Sequence, residues 1–484
     1  MEWHFVENWP SYLGFLFFVY LLTVMVLLIN EQRNPTKTLT WLVVLTFVPF
    51  LGLVLYFFLG RNWKRIAEKK ALHVHFRDLS EPMVSSVRQR YTADSDAARS
   101  WAAGSGWTGL VDLIEQAEGA PPLPAGDVQI LPGGAQKFAQ LKQDLARARQ
   151  TINIQYFIWE RDLLTAELSA ILHERLQAGV EVRILNDFIG NLFYPKDELK
   201  ALRKAGARVH FDVRQIGQAN YRNHRKIVVI DAVKGYTGGI NVGQEYIDGG
   251  SRYPAWRDTH VCFKGPAVAE LQKLFALRWH DATKENLFSK RFFPDDYPAC
   301  DSCVPAQVVA TSVEDKWETA RRAHVLAIGR ARHRVWLQSP YFVPDDQINE
   351  VIVNAALAGV DVRLIMTGWP DKKSAWYAAQ TYFRPLLEAG ARIFFYTRGF
   401  FHAKTITIDG MLLAIGTMNL DVRSLELHKE LMVWFLDEEL TREHEAIFEK
   451  DLLDCQEYTL ERLNSLSWPA RLRNSALRLA SNLL

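Results

Sequence analysis

The sequence HRKIVVID at residues 224–231 recurs as HAKTITID at residues 402–409. The first copy is followed by GGIN at 238–241 and the second by GTMN at 416–419. In both copies lysine follows histidine by two residues, aspartate by seven and asparagine by seventeen. Ordinary packing would not fix four polar residue types at three equal spacings twice, so the pattern indicates one functional unit present in duplicate.

Each motif predicts a β-strand that carries its histidine and its lysine on one face. The segment after each histidine is rich in Ile, Val and Thr, which favour strands, and residues two apart on a strand share a face. The aspartate falls on the opposite face at the far end, where we expect it to anchor the strand by hydrogen bonds. The asparagine amide can donate into the same pocket as the histidine. The candidate site residues are His224, Lys226, Asp231, Asn241, His402, Lys404, Asp409 and Asn419.

Shorter matches about 180 residues apart extend the repeat beyond the motifs. AGVEVR at 178–183 recurs as AGVDVR at 358–363. Each half alternates β-rich runs with segments that are apolar at helical spacing, which predicts an α/β layered fold. A period this long indicates a duplicated domain. We expect a first domain at 127–300 and a second at 301–484.

Two uncharged apolar stretches lie near the start of the chain, at 12–29 and 38–59. Stretches of about 20 apolar residues are typical of membrane spans, and Trp9 and Trp41 stand where interfacial aromatic residues often occur. A cleaved signal peptide is the alternative for the first stretch. We expect a transmembrane hairpin within residues 1–60, with spans at about 12–30 and 38–59.

Residues 61–126 are mixed and polar and are expected to form a juxtamembrane region and linker. Basic side chains cluster at 61–70, which by the positive-inside rule orients the following domains to the cytoplasm. The net charge is only +2 in 484 residues, which disfavours nucleic acid as a partner. The cysteines lack the spacing of a zinc-ligand set, so no metal is expected.

The duplicated motif, HxKxxxxD followed by GxxN, resembles the signature of the phospholipase D superfamily. Within that superfamily, WRDTH at 256–260, SPYFVP at 339–344 and NLDVRS at 419–424 are similar to bacterial cardiolipin synthases. The resemblance implies two tandem phospholipase D-like α/β/α sandwich domains whose motifs face one active site. It implies no cofactor, because lysines supply the charge that metal ions supply in other phosphoryl-transfer enzymes.

The resemblance also implies chemical roles for the motif residues. One histidine attacks phosphorus to give a phosphohistidine and the other transfers protons. By analogy with the family, His224 is the nucleophile and His402 the acid and base. The motif lysines, Asn241 and Asn419 are implied to hold the phosphate oxygens.

A carboxylate is expected behind each histidine to orient its ring. The family pattern points to Glu430 for the second half, and Asp258 is the candidate for the first half. For both residues the alternative is an ordinary solvated carboxylate. His428 departs from the family, which usually has asparagine two residues before this glutamate.

The implied activity is cardiolipin synthesis from two phosphatidylglycerol molecules at the bacterial inner membrane, with release of glycerol. A hydrolytic phospholipase D is the main alternative, followed by a nuclease of the same superfamily and by a membrane scaffold with an inactive site. At the C-terminus, an apolar stripe at helical spacing could lie in the lipid interface or pack against the core. The stripe consists of Trp468, Leu472, Ala476, Leu479 and Leu483.

Overall fold

A computed structural model describes residues 9–30, 35–56, 72–194, 196–212, 222–300, 302–312 and 315–479. Its contacts separate a small N-terminal unit, which ends at residue 73, from a large unit, which begins at residue 74. The sites discussed below lie wholly within the large unit.

The N-terminal unit contains the helices Trp9–Asn30, Pro35–Phe47 and Pro49–Leu55. Proline at position 49 lacks a backbone N–H and disfavours helical geometry at the residue before it, so the second apolar stretch is broken at Val48. Across the described residues, no helix combines the length and the apolar character needed to cross a membrane. The predicted transmembrane hairpin is therefore wrong. The end of its second predicted span and the basic cluster at 61–70 lie outside the described residues.

Helices and strands alternate through the large unit. The helices are Leu72–Arg90, Thr92–Ser105, Thr108–Glu118, Gly134–Ala146, Leu163–Gln177, Asp197–Lys204, Glu245–Asp248, Val268–Thr283, Thr319–Arg330, Asp346–Leu357, Lys373–Ala379, Phe383–Glu388, Val422–Glu426, Glu438–Leu452, Leu460–Asn464 and Trp468–Leu479. The strands of the first half are β1 (Leu123–Pro132), β2 (Thr151–Tyr156), β3 (Glu181–Asp187), β4 (Arg208–Asp212), β5 (Ile227–Ile230), β6 (Lys234–Gly238), β7 (Trp256–Arg257) and β8 (Thr259–Lys264). Those of the second half are β9 (Val304–Thr311), β10 (Arg334–Gln338), β11 (Phe342–Val343), β12 (Asp361–Thr367), β13 (Arg392–Tyr396), β14 (Phe400–Phe401), β15 (Thr405–Ile408), β16 (Leu412–Gly416), β17 (Leu420–Asp421), β18 (Glu430–Leu436) and β19 (Cys455–Tyr458).

Fifteen of the described strands form one sheet in which the two halves repeat the same order. The first half runs β1-β8-β6-β5-β2-β3-β4, and the second runs β9-β18-β16-β15-β10-β12-β13-β19. The halves join edge to edge where β1 and β9 pair antiparallel. The α/β duplication read from the sequence is thus present, with the halves related by an approximate two-fold axis at this junction.

The strands that follow the motif histidines, β5 and β15, lie inside their half-sheets and are buried along their whole length. Their apolar runs fit strands that are covered on both faces. One hydrophobic cluster continues across the junction, where the rings of Phe263 and Phe435 lie 6.0 Å apart. This shared core joins β5 of the first half to β16, the strand that pairs with β15, in the second half.

The C-terminal helix Trp468–Leu479 does not bury the predicted apolar stripe. Trp468 is 73% exposed and Leu472 is 54% exposed. Residues outside the stripe make the contacts instead, because Asn474 is buried with its amide donating to Gln380, and Leu477 packs against the core. Packing of the stripe against the core is thus wrong for the residues described, and Leu483 lies outside them.

Candidate active site

The two motif histidines line one cavity of about 500 Å³. His224 and Lys226 directly precede β5, and His402 and Lys404 directly precede β15. Both histidine side chains are nearly buried, with 12% and 10% exposure. The beginnings of β5 and β15 lie at the same cavity. The duplicated sequence therefore forms a single site with two imidazoles.

The segment before each histidine pairs with a segment of the opposite half. The backbone N–H of His224 donates to the carbonyl of Lys429 at 3.0 Å, and that of His402 donates to the carbonyl of Arg257 at 2.7 Å. Lys429 and Arg257 each immediately precede one of the predicted orienting carboxylates. The approximate two-fold relation therefore holds down to single hydrogen bonds.

Contacts between the two halves also fix the orientation of the imidazole rings. Nδ1 of His402 lies 2.7 Å from Oδ2 of Asp258, and Nδ1 of His224 lies 2.9 Å from Oε1 of Glu430. Sequence reasoning assigned each carboxylate to the histidine of its own half, and the structure instead pairs it with the histidine of the other half. A carboxylate at Nδ1 accepts its proton and leaves Nε2 available for chemistry.

The two carboxylates differ in length, and the residue that faces each of them from the glycine-containing segment differs as well. A Cβ at Gly239 would lie 2.1 Å from the Asp258 carboxylate, so only glycine leaves room for that side chain. The equivalent residue of the second half, Thr417, donates its hydroxyl to Glu430 at 2.6 Å. GGIN has glycine where GTMN has threonine. This difference is the sequence signal that could have indicated which segment faces Asp258 and which faces Glu430.

Burial sets the protonation of the site. Desolvation, reinforced by the nearby lysines, holds the pKa of both motif histidines well below the usual range. Desolvation also lowers the pKa of Lys226 to about 7 and that of Lys404 to about 8.

The orienting carboxylates shift in the opposite direction. Desolvation raises the pKa of Asp258 to about 6 and that of Glu430 to about 7. Carboxylates and ammonium groups therefore titrate close to neutral pH, as is common in sites that transfer protons.

Each motif lysine donates from Nζ to the backbone carbonyl of its own histidine. Neither asparagine uses its carbonyl oxygen, since Oδ1 of Asn241 and of Asn419 is buried without a hydrogen-bond partner in the described structure. Both asparagines line the cavity. The two asparagines therefore share the cavity with the imidazoles, and each ammonium group is held next to its histidine.

The motif aspartates bind backbone at the far ends of their strands. Asp231 accepts the N–H groups of Arg149, Gln150 and Thr151. Asp409 does the same for Arg332, His333 and Arg334. These hydrogen bonds fix the start of β2 and of β10, the neighbours of the motif strands.

Aromatic rings flank the imidazoles. Phe157 meets the His224 ring edge-on at 5.0 Å, and Trp256 and Phe400 lie 5.4 Å and 5.6 Å from the His402 ring. Sequence reasoning missed Trp256 and Phe157 because their neighbourhood depends on contacts across the fold. Among the residues that the structure describes, no group of three or more His, Cys, Asp or Glu could hold a metal ion.

Comparison with known proteins agrees with this geometry. The family model described as cardiolipin synthase, PLD-like domain, matches residues 141–277 and 325–452, and the phospholipase D-nuclease N-terminal model matches residues 15–61. The chain is 34% identical over 469 residues to cardiolipin synthase 2 of Bacillus anthracis, covering 94% of this chain and 88% of that protein. It is 31% identical over 490 residues to the major cardiolipin synthase ClsA of Bacillus subtilis, covering 98% of both.

A solved structure shares the fold. The phosphatidylserine synthase of Haemophilus influenzae superposes with a TM-score of 0.60 at 14% identity, covering 78% of this chain and all of that one. The duplicated motif, the shared cavity and the extent of these matches lead to one conclusion. The chain belongs to the cardiolipin synthase family with phospholipase D-like domains.

Proposed function

We propose that this protein makes cardiolipin by moving a phosphatidyl group from one phosphatidylglycerol to a hydroxyl of another, with release of glycerol. The observation that carries the proposal is the pair of nearly buried imidazoles in one cavity, each held at Nδ1 by its own carboxylate. One group can act as nucleophile while the other transfers protons.

The first step forms a phosphohistidine. Nε2 of one imidazole attacks phosphorus, the bond from phosphorus to the glycerol oxygen breaks, and the leaving oxygen takes a proton from the other imidazole. Lys226, Lys404, Asn241 and Asn419 face the phosphate and stabilise the charge that develops on its oxygens. Two like groups near each other favour different protonation states, because one charge raises the free energy of the other.

The second step reverses the first with a new alcohol. The acceptor hydroxyl gives its proton to the neutral imidazole, its oxygen attacks phosphorus, and the phosphorus–nitrogen bond breaks. One phosphodiester replaces another, so the exchange needs no nucleotide. Transfer exceeds hydrolysis only where water is kept out and the acceptor is held close, and the rings of Phe157, Trp256 and Phe400 support that exclusion.

The test uses purified protein in detergent micelles with phosphatidylglycerol as the sole phospholipid. We expect cardiolipin and free glycerol in equal amounts, with little phosphatidic acid. Added glycerol should drive cardiolipin back to phosphatidylglycerol, because the exchange is close to thermoneutral. A dominant phosphatidic acid product that is insensitive to glycerol would identify a hydrolytic phospholipase D instead.

We further propose that the large unit works at the lipid surface of the bacterial cell membrane. The exposed stripe of the C-terminal helix, which includes Trp468 and Leu472, supports this placement because an apolar face flanked by arginines suits the lipid interface. Replacing both residues with Gln should weaken co-sedimentation with phosphatidylglycerol vesicles. Unchanged co-sedimentation would exclude the helix as the contact.

A further inference from the structure

The two sides of the cavity are equivalent by position but differ in chemistry. The compared positions lie two residues before each motif histidine, two residues before each orienting carboxylate and four residues after each motif asparagine. The resulting pairs are Arg222 and Phe400, His428 and Trp256, and Arg423 and Glu245, all lining the cavity. At these positions the side next to His224, called the cationic side below, has two arginines and a histidine, whereas the side next to His402 has two aromatic rings and a glutamate.

Backbone hydrogen bonds build the cationic side. The N–H of His428 donates to the carbonyl of Arg423 at 2.8 Å, and the N–H of Lys429 donates to the carbonyl of Arg222 at 2.9 Å. Two consecutive residues, His428 and Lys429, therefore fix the backbone of both arginines. That ring lies 6.2 Å from the His224 ring, so the group adjoins the reacting centre.

Polar atoms on this side still have hydrogen-bonding capacity. Nε2 of His428 and Nε of Arg222 are buried without a hydrogen-bond partner in the described residues. After burial itself, the positive charges of Arg423, Arg222 and Lys372 contribute to holding the pKa of His428 well below its usual range. An anion in the cavity would offset the positive charges around the His428 ring.

The acidic residues on this side already have partners. Asp371 accepts the Tyr341 hydroxyl at 2.7 Å, and Asp421 accepts the backbone N–H of Ser424 at 2.9 Å. Lys372 lies at the cavity wall, with its ammonium 5.2 Å from the centre of the Tyr341 ring. Three cationic side chains, Arg222, Arg423 and Lys372, therefore share this side of the cavity with two carboxylates that protein donors hold in place.

Cardiolipin synthesis brings two phosphodiesters into one site. The symmetric lysines and asparagines of the motifs bind only the phosphodiester that reacts. We infer that Arg222, His428, Arg423 and Lys372 bind the second phosphodiester, which belongs to the acceptor lipid. This inference rests on the proposed function. Water and free glycerol carry no phosphate, so the subsite would favour a phospholipid acceptor over both.

The test compares two acceptors in one reaction. Phosphatidylglycerol is incubated in detergent micelles with radiolabelled glycerol, so that cardiolipin reports the charged acceptor and labelled phosphatidylglycerol reports the neutral one. Arg222→Gln and Lys372→Gln should each lower the ratio of cardiolipin to labelled phosphatidylglycerol by about tenfold, because each removes one charged hydrogen bond to the acceptor. Arg222→Lys should restore part of the ratio.

The matched control is Arg252→Gln, which removes an arginine that lines the same cavity beside Tyr253. Its product ratio should equal that of the wild type. Deacylated phosphatidylglycerol, a soluble acceptor with the same phosphodiester, separates phosphate recognition from recognition of the acyl chains. The wild type should prefer it to glycerol, and Arg222→Gln should lose that preference.

The outcomes separate the two proposals. If Arg222→Gln and Lys372→Gln lower both products in parallel, the acceptor subsite is excluded while cardiolipin synthesis stands. The same conclusion follows if Arg252→Gln changes the ratio as much as they do. If the wild type labels phosphatidylglycerol but forms no cardiolipin, the proposed function itself is excluded.

Discussion

Nδ1 of His402 lies 2.7 Å from Oδ2 of Asp258, although 144 residues separate the two in the chain. Glu430 relates to His224 in the same way across 206 residues. Each half thus contributes one histidine and the carboxylate that orients the other histidine. The candidate active site therefore needs residues from both halves, and the role of each residue can be tested separately.

Asp258→Asn and Glu430→Gln should each lower kcat by about 10²- to 10⁴-fold, because an amide no longer fixes the Nδ1–H tautomer. NMR of the imidazole protons can identify the affected ring. Asp258→Asn should shift the Nδ1–H signal of His402 and Glu430→Gln that of His224. The reverse assignment would contradict the crossed pairing, and Glu449→Gln, an exposed carboxamide control, should shift neither.

His224→Ala and His402→Ala should each lower turnover by at least about a thousandfold, because in the proposed reaction one group is the nucleophile and the other the acid and base. Product formation from phosphatidylglycerol is the measurement. His173→Ala, at an exposed position on the helix Leu163–Gln177, is the control and should retain full activity. Substantial turnover in either motif variant would show that the two histidines do not share one reaction.

Activity should fall on the alkaline side of neutral pH. Burial lowers the pKa of Lys226 to about 7 and that of Lys404 to about 8, so both lose their charge in the free enzyme as the pH rises through this window. Because we propose that the charged lysines hold the anionic phosphodiester, kcat/KM should decline between these values. A bound phosphate favours the protonated lysines, so kcat should decline less. A kcat/KM that rises through this window would contradict the role of the lysines.

Asp231→Ala should lower the free energy of unfolding by about 2–4 kcal/mol, because three backbone N–H groups lose a charged acceptor. Asp231 and Asp409 also have left-handed backbone, with φ of 52° and 54°, which asparagine tolerates better than alanine. Asp231→Asn should therefore be less destabilising. Urea unfolding measures the effect, and the kcat of the folded variant should stay near that of the wild type. A large loss of kcat without a loss of stability would assign the aspartate to the chemistry.

The geometry of each motif could be predicted from the sequence because it involves residues that are close together in the chain. His224 and Lys226 take their relation from strand periodicity, and the anchoring expected of Asp231 follows from its place at the far end of the same strand. The α/β duplication likewise follows from repeated local patterns. These features need no knowledge of which strands meet in space.

The crossed pairing was not predictable in this way, because it depends on how the halves dock. Asp258 and Glu430 were read as partners within their own halves, whereas the approximate two-fold axis exchanges them. The transmembrane hairpin failed for a different reason. Apolar composition was read as two continuous spans. Pro49 breaks the second of them at Val48, and no described helix combines the length and the apolar character that a span needs.

The exchange of carboxylates between halves bears on the origin of the chain. A single half that dimerised about the same axis would place each histidine against the carboxylate of its twin, through the same hydrogen bonds as those of His224 and His402. Gene duplication and fusion would then preserve the site without moving any group. Once fused, the two copies were free to diverge. In a symmetric dimer the two equivalent positions carry the same residue, whereas the fused chain has Arg222 on one side of the cavity and Phe400 on the other.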